Sequence, residues 1–482
     1  MPKPNFIFFD TETSGGRGLA DILTIDALYY DYNFNPIGEF SCEARLRKSR
    51  VYEVDAFMVN NLDPFELDQC SNTNFDLTKQ TYDTFTKWTN KNETFFCAHN
   101  GYGFDYMLTS QHLFSNLHSW PWIFSTGNAR QLDSLPILQN FEFYSPNKIK
   151  FEINEKNNKI FRLGSLCKAN GFEIKNLHSS RGDTEGLAKL MNLLREKDPS
   201  LFRQSLSFTN KQNVLESIKT IDYFCHPETF YGRTRQFTSS YLCEHPQFKN
   251  YHLVFDLKHD PELIFQEKSN KVLEKTLNGA PKKYRTIKVG KNPFIQDKSF
   301  ATKFDDEYTK LGHEVLQKRA NFIMKNRKEI TNRICLIIND RFEEQTTIDQ
   351  SELIPEQMIF NLNPSSNDKT LMNKFVMTND KDEQKRIYRN FDGPLKHLSE
   401  MILLDKYDKD GFDSKEEYRK VRKNISRRLL STNKEVFPTI PEGMSRIDTL
   451  REEKKDDKIG LEKVERINSH LEKLASEHES YL

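Results

Sequence analysis

Residues 6–15 read FIFFDTETSG, four large apolar residues that run directly into Asp10, Thr11 and Glu12. An apolar run of this length, bounded by turn residues, predicts a short buried β-strand. Side chains alternate between the two faces of a strand, so Asp10 and Glu12 are expected on one face and Thr11 on the other. The stretch therefore predicts two carboxylates at the end of a buried strand.

The acidic pair has two interpretations. Two carboxylates on one face repel each other unless a cation lies between them, and their oxygen donors suit Mg²⁺ or Mn²⁺. Asp, Thr and Glu are also ordinary residues of turns and helix caps. The segment DTE on its own leaves a metal site and an acidic turn equally open.

The composition favours a soluble protein of several domains. A chain of 482 residues exceeds one ordinary core. Apolar residues make up 36% and charged residues 29%, and no stretch approaches the roughly 18 apolar residues of a membrane span. The first apolar run is too short for a secretory leader.

Seven scattered cysteines without a CxxC pair suggest neither a disulfide framework nor a zinc site, and favour a reducing, cytoplasmic location.

Positive charge collects in the middle of the chain. The net charge is +1 overall, and it is −4 over residues 1–200, +6 over 201–350 and −1 over 351–482. The excess lies mainly in PKKYRTIKVGK (281–291) and LQKRANFIMKNRK (316–328). A polyanion would be attracted most strongly to this third, although such clusters are also common on solvated faces.

The residue pattern predicts three domains, residues 1–202, 203–352 and 353–482. The first alternates strand-like and helix-like segments, which is typical of an α/β domain, and TEGLAKLMNLLREK within it has helical spacing. The second contains strand-like YHLVFDL and YRTIKV, a helical stretch near 309–333 and a further apolar run, RICLIIND. The third reads as amphipathic or highly charged helices.

Two further acids and a histidine lie near predicted helix starts. Asp105 follows the glycine-punctuated loop of CAHNGYGFDYML, where a helix N-terminal acid is common. In NLHSSRGDTEGLAKLM, His178 lies in a polar loop and Asp183 begins an amphipathic helix on its inward face. A carboxylate there is costly to bury unless it is paired or metal-bound. A lone histidine is more often a surface or core residue.

Together these residues fit phosphodiester hydrolysis. Four converging carboxylates could hold two divalent ions about 3.5 to 4 Å apart, an arrangement that activates a water and stabilises the leaving oxygen. A histidine, with an ordinary pKa of about 6.5, suits the removal of the proton from that water.

The motifs FFDTETSG, AHNGYGFD and HSSRGD, in that order, resemble those of the histidine-bearing branch of the DEDD exonuclease superfamily, whose members have a ribonuclease-H-like α/β fold. More narrowly, NFNPIGE, FRLGSLCKANGFE, YLCEHP and EQMIFNLNPSSNDKTLM are similar to segments of the bacterial exodeoxyribonuclease I family. The resemblance covers nearly all of the chain. It implies a ribonuclease-H-like exonuclease domain, an SH3-like β domain and a helical C-terminal domain that close around a single DNA strand.

The resemblance implies Asp10, Glu12, Asp105 and Asp183 as ligands of two Mg²⁺ ions, with Mn²⁺ as an alternative, and His178 as the general base. It further implies a 3′ to 5′ exonuclease that degrades single-stranded DNA to 5′-mononucleotides in DNA repair and recombination. A monomer is expected. Two other functions stay open: an exoribonuclease of the same superfamily, which shares these motifs, and an inert nucleic-acid-binding protein, against which the intact acid set argues.

The candidate substrate contacts are Thr11, Thr13, Phe104, Arg162, Arg233 and Arg235. Phe104 could stack on a terminal base or pack in the core, and the backbone around Thr11 and Thr13 could approach the terminal sugar. Arg233 and Arg235 lie between the aromatic residues of FYGRTRQF, which predicts either a contact strip or an ordinary solvated strand.

Three places need separate interpretation. The family usually carries an Arg-Pro pair and a glutamine after the position of Asp21, whereas this chain reads DILTID, which puts a family contact there in question. Asp133 is interpreted as a helix cap, because the acid set is complete without it. The family also implies docking of the acidic C-terminal tail of a single-strand-binding protein, for which one basic helix face offers charge if it is not simply solvated. The residues of that face are Arg422, Lys423, Arg427 and Arg428.

Overall fold

The computed structural model describes residues 3–16, 18–60, 62–174, 179–345 and 353–482. The chain divides into two compact units. Unit 1 comprises Met1–Ala129, Ile174–Ala188 and Gln350–Leu482, and unit 2 comprises Arg130–Glu173 and Lys189–Asp349. Within the described ranges, no helix is both long and apolar enough to cross a membrane.

The elements are as follows, in chain order within each class. The strands are β1 Asn5–Thr13, β2 Ile22–Tyr30, β3 Pro36–Glu43, β4 Thr94–Ala98, β5 Ala129–Asp133, β6 Phe224–Phe230, β7 Arg233–Glu244, β8 Tyr251–Asp256 and β9 Tyr284–Lys288. The helices are α1 Val54–Val59, α2 Pro64–Asp68, α3 Asn74–Thr89, α4 Asp105–Ser115, α5 Ser134–Tyr144, α6 Leu163–Ala169, α7 Ser180–Lys197, α8 Pro199–Ser207, α9 Lys211–Lys219, α10 Pro261–Phe265, α11 Asn270–Asn278, α12 Asp306–Gln345, α13 Ser366–Met377, α14 Lys381–Tyr388, α15 Gly393–Tyr407, α16 Lys415–Leu429, α17 Ile440–Glu453 and α18 Lys458–Glu479. Short 3₁₀ turns include Pro355–Phe360.

The predicted strand at FIFFD is confirmed as β1, whose residues Phe6 to Phe9 are completely buried. β1 pairs with β2 antiparallel and with β4 parallel, and the strands of unit 1 are ordered β3-β2-β1-β4. Phe9 stacks on Phe124 at a centroid distance of 5.2 Å and meets Phe96 edge to face. This aromatic core holds β1 rigidly where its apolar part ends and its acids begin.

The helices near the C-terminus share a core with the beginning of the chain. Leu23 and Tyr52 pack in one apolar cluster with Leu404, Ile447 and Val464. The predicted amphipathic helices are confirmed, since α17 and α18 bury one face and expose charges on the other. Unit 1 therefore has an α/β layer and a helical layer that are stabilised by the same buried side chains.

Unit 2 contains an antiparallel sheet in the order β6-β7-β8-β9, with α12 packed in the same core. The helix predicted near 309–333 is longer than expected and includes the run RICLIIND. Ile330, Ile334 and Ile337 are buried at helical spacing within α12, so this run forms the inner face of a helix. A positive φ of 71° at Gly312 kinks the helix near its start.

Candidate metal centre

Three carboxylates converge in unit 1, and we call them the acidic triad: Asp10, Glu12 and Asp183. Their ligand-capable oxygens all lie within 4.8 Å of one another, and each residue is partly exposed. Oxygen donors of this charge and spacing are the ligands that divalent cations such as Mg²⁺ and Mn²⁺ prefer. The residues present therefore fit a divalent metal ion.

The positions of the triad follow from local structure. Asp10 and Glu12 alternate with the buried Thr11 and Thr13 at the end of β1, as the strand period requires. Asp183 lies in the first turn of α7, as its sequence predicted. Because β1 is fixed by the core beneath it, the first two carboxylates emerge at one place on the surface of unit 1.

The electrostatic environment of the triad is strongly negative. Burial, followed by the charges of Asp105 and Asp183, raises the pKa of Asp10 well above its usual value. Burial and the charges of Asp183 and Asp105 raise the pKa of Glu12 to about 8. Carboxyl groups in this environment resist ionisation until a cation neutralises them.

Asp105 begins α4 beside the triad but is not part of it. The Thr11 hydroxyl donates a hydrogen bond of 3.0 Å to Oδ1 of Asp105, and the charge of Asp105 acts directly on Asp10. The preceding loop needs Gly101, since a Cβ there would lie 2.7 Å from the Tyr106 ring. The loop thus delivers Asp105 to the edge of the metal centre, and its role as a ligand stays a prediction.

The predicted general base cannot be placed. His178 lies outside the described residues, which resume at Ser179, one residue before α7 begins. Its catalytic role stays a prediction.

Two candidate substrate contacts of unit 1 have structural partners. Thr13 is buried and its hydroxyl donates to the carbonyl oxygen of Gly15 at 2.8 Å. Phe104 is partly buried and packs against the aromatic core. A role in substrate binding stays a prediction for both residues.

The segment that departs from the family pattern is internal. Ile22, Leu23 and Ile25 are all buried, with exposures of 1% or less. Asp21 accepts hydrogen bonds from Arg47 and Arg50, each at 2.8 Å. These side chains therefore belong to the interior of unit 1.

Sequence reasoning missed a group of residues beside the triad. Asp26 is directly opposite Asp10 in the β1–β2 ladder, and its carboxylate accepts a hydrogen bond from Ser180 at the start of α7. An acid within the apolar strand segment LTIDALYY was the available signal, but its partner is more than 150 residues away in the sequence. The contact depends on the tertiary structure.

The remaining candidates lie in unit 2. Arg162 is exposed at the start of α6. Arg233 is exposed and donates to the side chain of Asn158 at 2.8 Å, while Arg235 lines a groove of about 1010 Å³. Asp133 caps α5 by accepting from the backbone N–H of Leu135 at 3.0 Å, which confirms its predicted capping role.

The four cations expected on one face of α16 do not share a face. Arg422 is 1% exposed and donates to Glu477 at 2.6 Å. Arg428 turns inward and donates to the carbonyl oxygen of Ser49. Lys423 and Arg427 are more accessible. The helical wheel alone did not reveal that α18 covers part of this face.

No protein-family model matches the chain. Exodeoxyribonuclease I of Escherichia coli K12 is 24% identical over 282 residues, which cover 57% of this chain and 58% of that protein. Exodeoxyribonuclease I of Buchnera aphidicola subsp. Schizaphis graminum is 23% identical over 243 residues, 49% of each chain. In sequence, the chain thus spans about half of the curated relatives it matches.

The fold similarity extends further. Exonuclease I of Methylocaldum szegediense aligns with a TM-score of 0.81 and 17% identity over 98% of this chain and 100% of that one. The structure of E. coli exonuclease I in complex with a dA16 oligonucleotide gives the same score, identity and coverage. The recognition drawn from the motifs is confirmed: the chain resembles bacterial exodeoxyribonuclease I in sequence and shares the mixed α/β fold of the exonuclease I structures.

Proposed function

We propose that this protein is a metal-dependent 3′ to 5′ exonuclease that degrades single-stranded DNA to 5′-mononucleotides. The convergence of the acidic triad within 4.8 Å carries the proposal. The similarity to exodeoxyribonucleases supports it, as does the oligonucleotide bound to the E. coli protein.

The proposed mechanism gives each residue of the site one task. Asp10, Glu12 and Asp183 would hold the cations, and Asp105, kept in place by Thr11, would complete the set for two Mg²⁺ ions. Divalent ions, when bound, would polarise the scissile phosphate and acidify a water. His178 takes the proton of that water. The new P–O bond would form as the bond from phosphorus to the 3′ oxygen of the preceding nucleotide breaks. That oxygen takes a proton from solvent, and the terminal nucleotide leaves with its 5′ phosphate.

Unit 2 has a surface suited to binding single-stranded DNA. The groove beside Arg235 combines the rings of Phe143, Phe230 and Phe237 with several cations, among them Arg285. The Arg285 guanidinium lies 3.9 Å from the centre of the Phe237 ring. Aromatic rings interleaved with positive charge bind single strands by stacking and by phosphate neutralisation. We expect Arg235→Ala to weaken oligonucleotide binding and to reduce its salt dependence.

The finer expectations belong to the same proposal. They include the SH3-like character of the β6–β9 sheet, the division at residues 202 and 352, a monomeric state and a cytoplasmic location. Docking of the acidic tail of a single-strand-binding protein now depends on Lys423 and Arg427. The double charge reversal of these residues should abolish binding of such a tail peptide.

The direct test uses DNA and RNA strands, single and duplex, labelled at either end and incubated with Mg²⁺ or EDTA. We expect 5′-labelled single-stranded DNA to shorten gradually with Mg²⁺, and 3′-labelled DNA to release a labelled mononucleotide at once. Shortening of RNA alone would instead support the exoribonuclease. Binding of DNA without any cleavage would indicate an inert binding protein.

A further inference from the structure

A buried acid of β2, Asp26, lies beside the acidic triad without being part of it. Asp26 is 6% exposed and faces Asp10 across the β1–β2 ladder. Among the described residues, the group of carboxylates close enough to share a metal ion comprises Asp10, Glu12 and Asp183. The carboxylate of Asp26 instead accepts a hydrogen bond from another secondary-structure element.

That element is the start of α7. The hydroxyl of Ser180 donates to Oδ2 of Asp26, so the 2.9 Å contact between Thr24 Oγ1 and Ser180 Oγ must have Thr24 as its donor. Thr184 lies one turn further on, and its hydroxyl donates to the carbonyl oxygen of Ser180 at 2.7 Å within α7. Ser180 and Thr184 are almost completely buried, with exposures of 3% and 0%. The first turn of α7 is thus attached to β2 through Ser180.

The attachment lies one turn of helix from a member of the triad. Asp183 lies between Ser180 and Thr184 in the first turn of α7. Hydrogen bonds from a hydroxyl to a carboxylate are short and stronger than neutral ones. We propose that Thr24, Ser180 and Asp26 form a latch that positions Asp183 for metal binding, a role that rests on the proposed function.

The charge of Asp26 is unfavourable for the neighbouring acids of the triad. Burial is the main cause of the raised pKa values of Asp10 and Glu12, and the negative charge of Asp26 adds to it. An apolar residue at position 26 would avoid this repulsion.

Direct Mn²⁺ titration of the purified full-length protein distinguishes a positioning residue from a ligand. The kcat and KM for cleavage of an oligonucleotide are measured on the same variants. Ser180→Ala should weaken Mn²⁺ binding about tenfold, as loss of an outer-shell partner typically does, and lower kcat with little change in KM. Asp26→Asn should retain most of the affinity, because its amide oxygen still accepts from Ser180, whereas Asp26→Ala should not. Ser399→Ala, which removes a fully buried helical hydroxyl elsewhere in unit 1, is the matched control and should match the wild type.

Three outcomes would overturn the latch: wild-type Mn²⁺ affinity in Ser180→Ala, an equal loss in Ser399→Ala, or a loss in Asp26→Asn as large as in Asp10→Asn. The last result would make Asp26 a ligand. Since the titration does not require cleavage, a wild type that binds Mn²⁺ but degrades no nucleic acid would contradict the proposed function and still decide on the latch.

Discussion

The Thr11 hydroxyl donates to Oδ1 of Asp105 at 3.0 Å and joins the end of β1 to the first turn of α4. Thr11 lies between the two acids of β1 and points away from them. The residue that spaces Asp10 and Glu12 thus also holds Asp105 beside the triad.

Removal of this hydroxyl should affect metal binding more than stability. We expect Thr11→Val to cost about 1 kcal/mol of unfolding free energy, the usual value of one hydrogen bond, and to weaken Mn²⁺ binding. The matched control is Thr81→Val, since Thr81 is also buried but donates to the backbone of α3. Chemical denaturation and Mn²⁺ titration measure both effects. A loss of Mn²⁺ affinity in both variants would contradict the role of Thr11.

Divalent cations should stabilise the protein through the acidic triad. Mg²⁺ at a hundred times its dissociation constant should add about 3 kcal/mol to the unfolding free energy, and EDTA should remove that gain. Asp10→Asn should unfold at a higher temperature than the wild type in EDTA, because it removes a carboxyl group whose ionisation is opposed by burial and by the neighbouring charges. The variant should respond weakly to Mg²⁺. Differential scanning calorimetry would show this. A full Mg²⁺ response in the variant would argue that the cation binds elsewhere.

Arg47 should be a major source of stability in unit 1. Its guanidinium is almost fully buried and donates to Asp21 at 2.8 Å and to Asp405 at 3.0 Å. Arg47→Ala would leave the buried Asp405 without its cation and Asp21 paired with Arg50 alone, so we expect a loss of about 3 to 5 kcal/mol. The control is Arg446→Ala, because Arg446 pairs with Asp55 on the surface. This variant should lose less than about 1 kcal/mol of unfolding free energy. Similar losses in the two variants, measured by urea denaturation, would contradict this ranking.

Glu356 should make the protein sensitive to acid. Burial by itself would raise the pKa of Glu356, but the hydrogen bond with His397 and the charge of Arg50 lower it to about 2. The folded pKa is below the unfolded one, so this stabilisation is complete above about pH 4.5 and is lost as the pH falls towards 2. The stability difference between the wild type and Glu356→Gln should shrink by about 3 kcal/mol across that window. A pH-independent difference in urea denaturation would refute the assignment.

Local pattern was enough to predict much of the fold and part of the site. The alternation at Asp10 and Glu12 and the helical spacing after Asp183 are set by neighbours in the sequence, and both are confirmed. RICLIIND was harder to interpret, because a short apolar run fits a strand or a buried helix. In the structure this run continues α12, and its isoleucines pack in the core shared with the β6–β9 sheet.

Features that depend on distant partners could not be predicted. The bond between Ser180 and Asp26, the burial of Arg422 under α18 and the core shared by Leu23 and Val464 join residues far apart in the chain. Asp26 stands out as an acid within an apolar strand segment, but the local sequence names none of the distant partners. Their roles follow from how the segments pack.

The most direct test of the central claim compares the wild type with Asp183→Asn on a 5′-labelled single-stranded oligonucleotide in Mg²⁺ and in EDTA. The proposed function predicts stepwise shortening from the 3′ end by the wild type in Mg²⁺ alone. It predicts a rate at least about a thousandfold lower in the variant, which corresponds to several kcal/mol of lost transition-state stabilisation. Wild-type rates in Asp183→Asn, or shortening in EDTA, would contradict it.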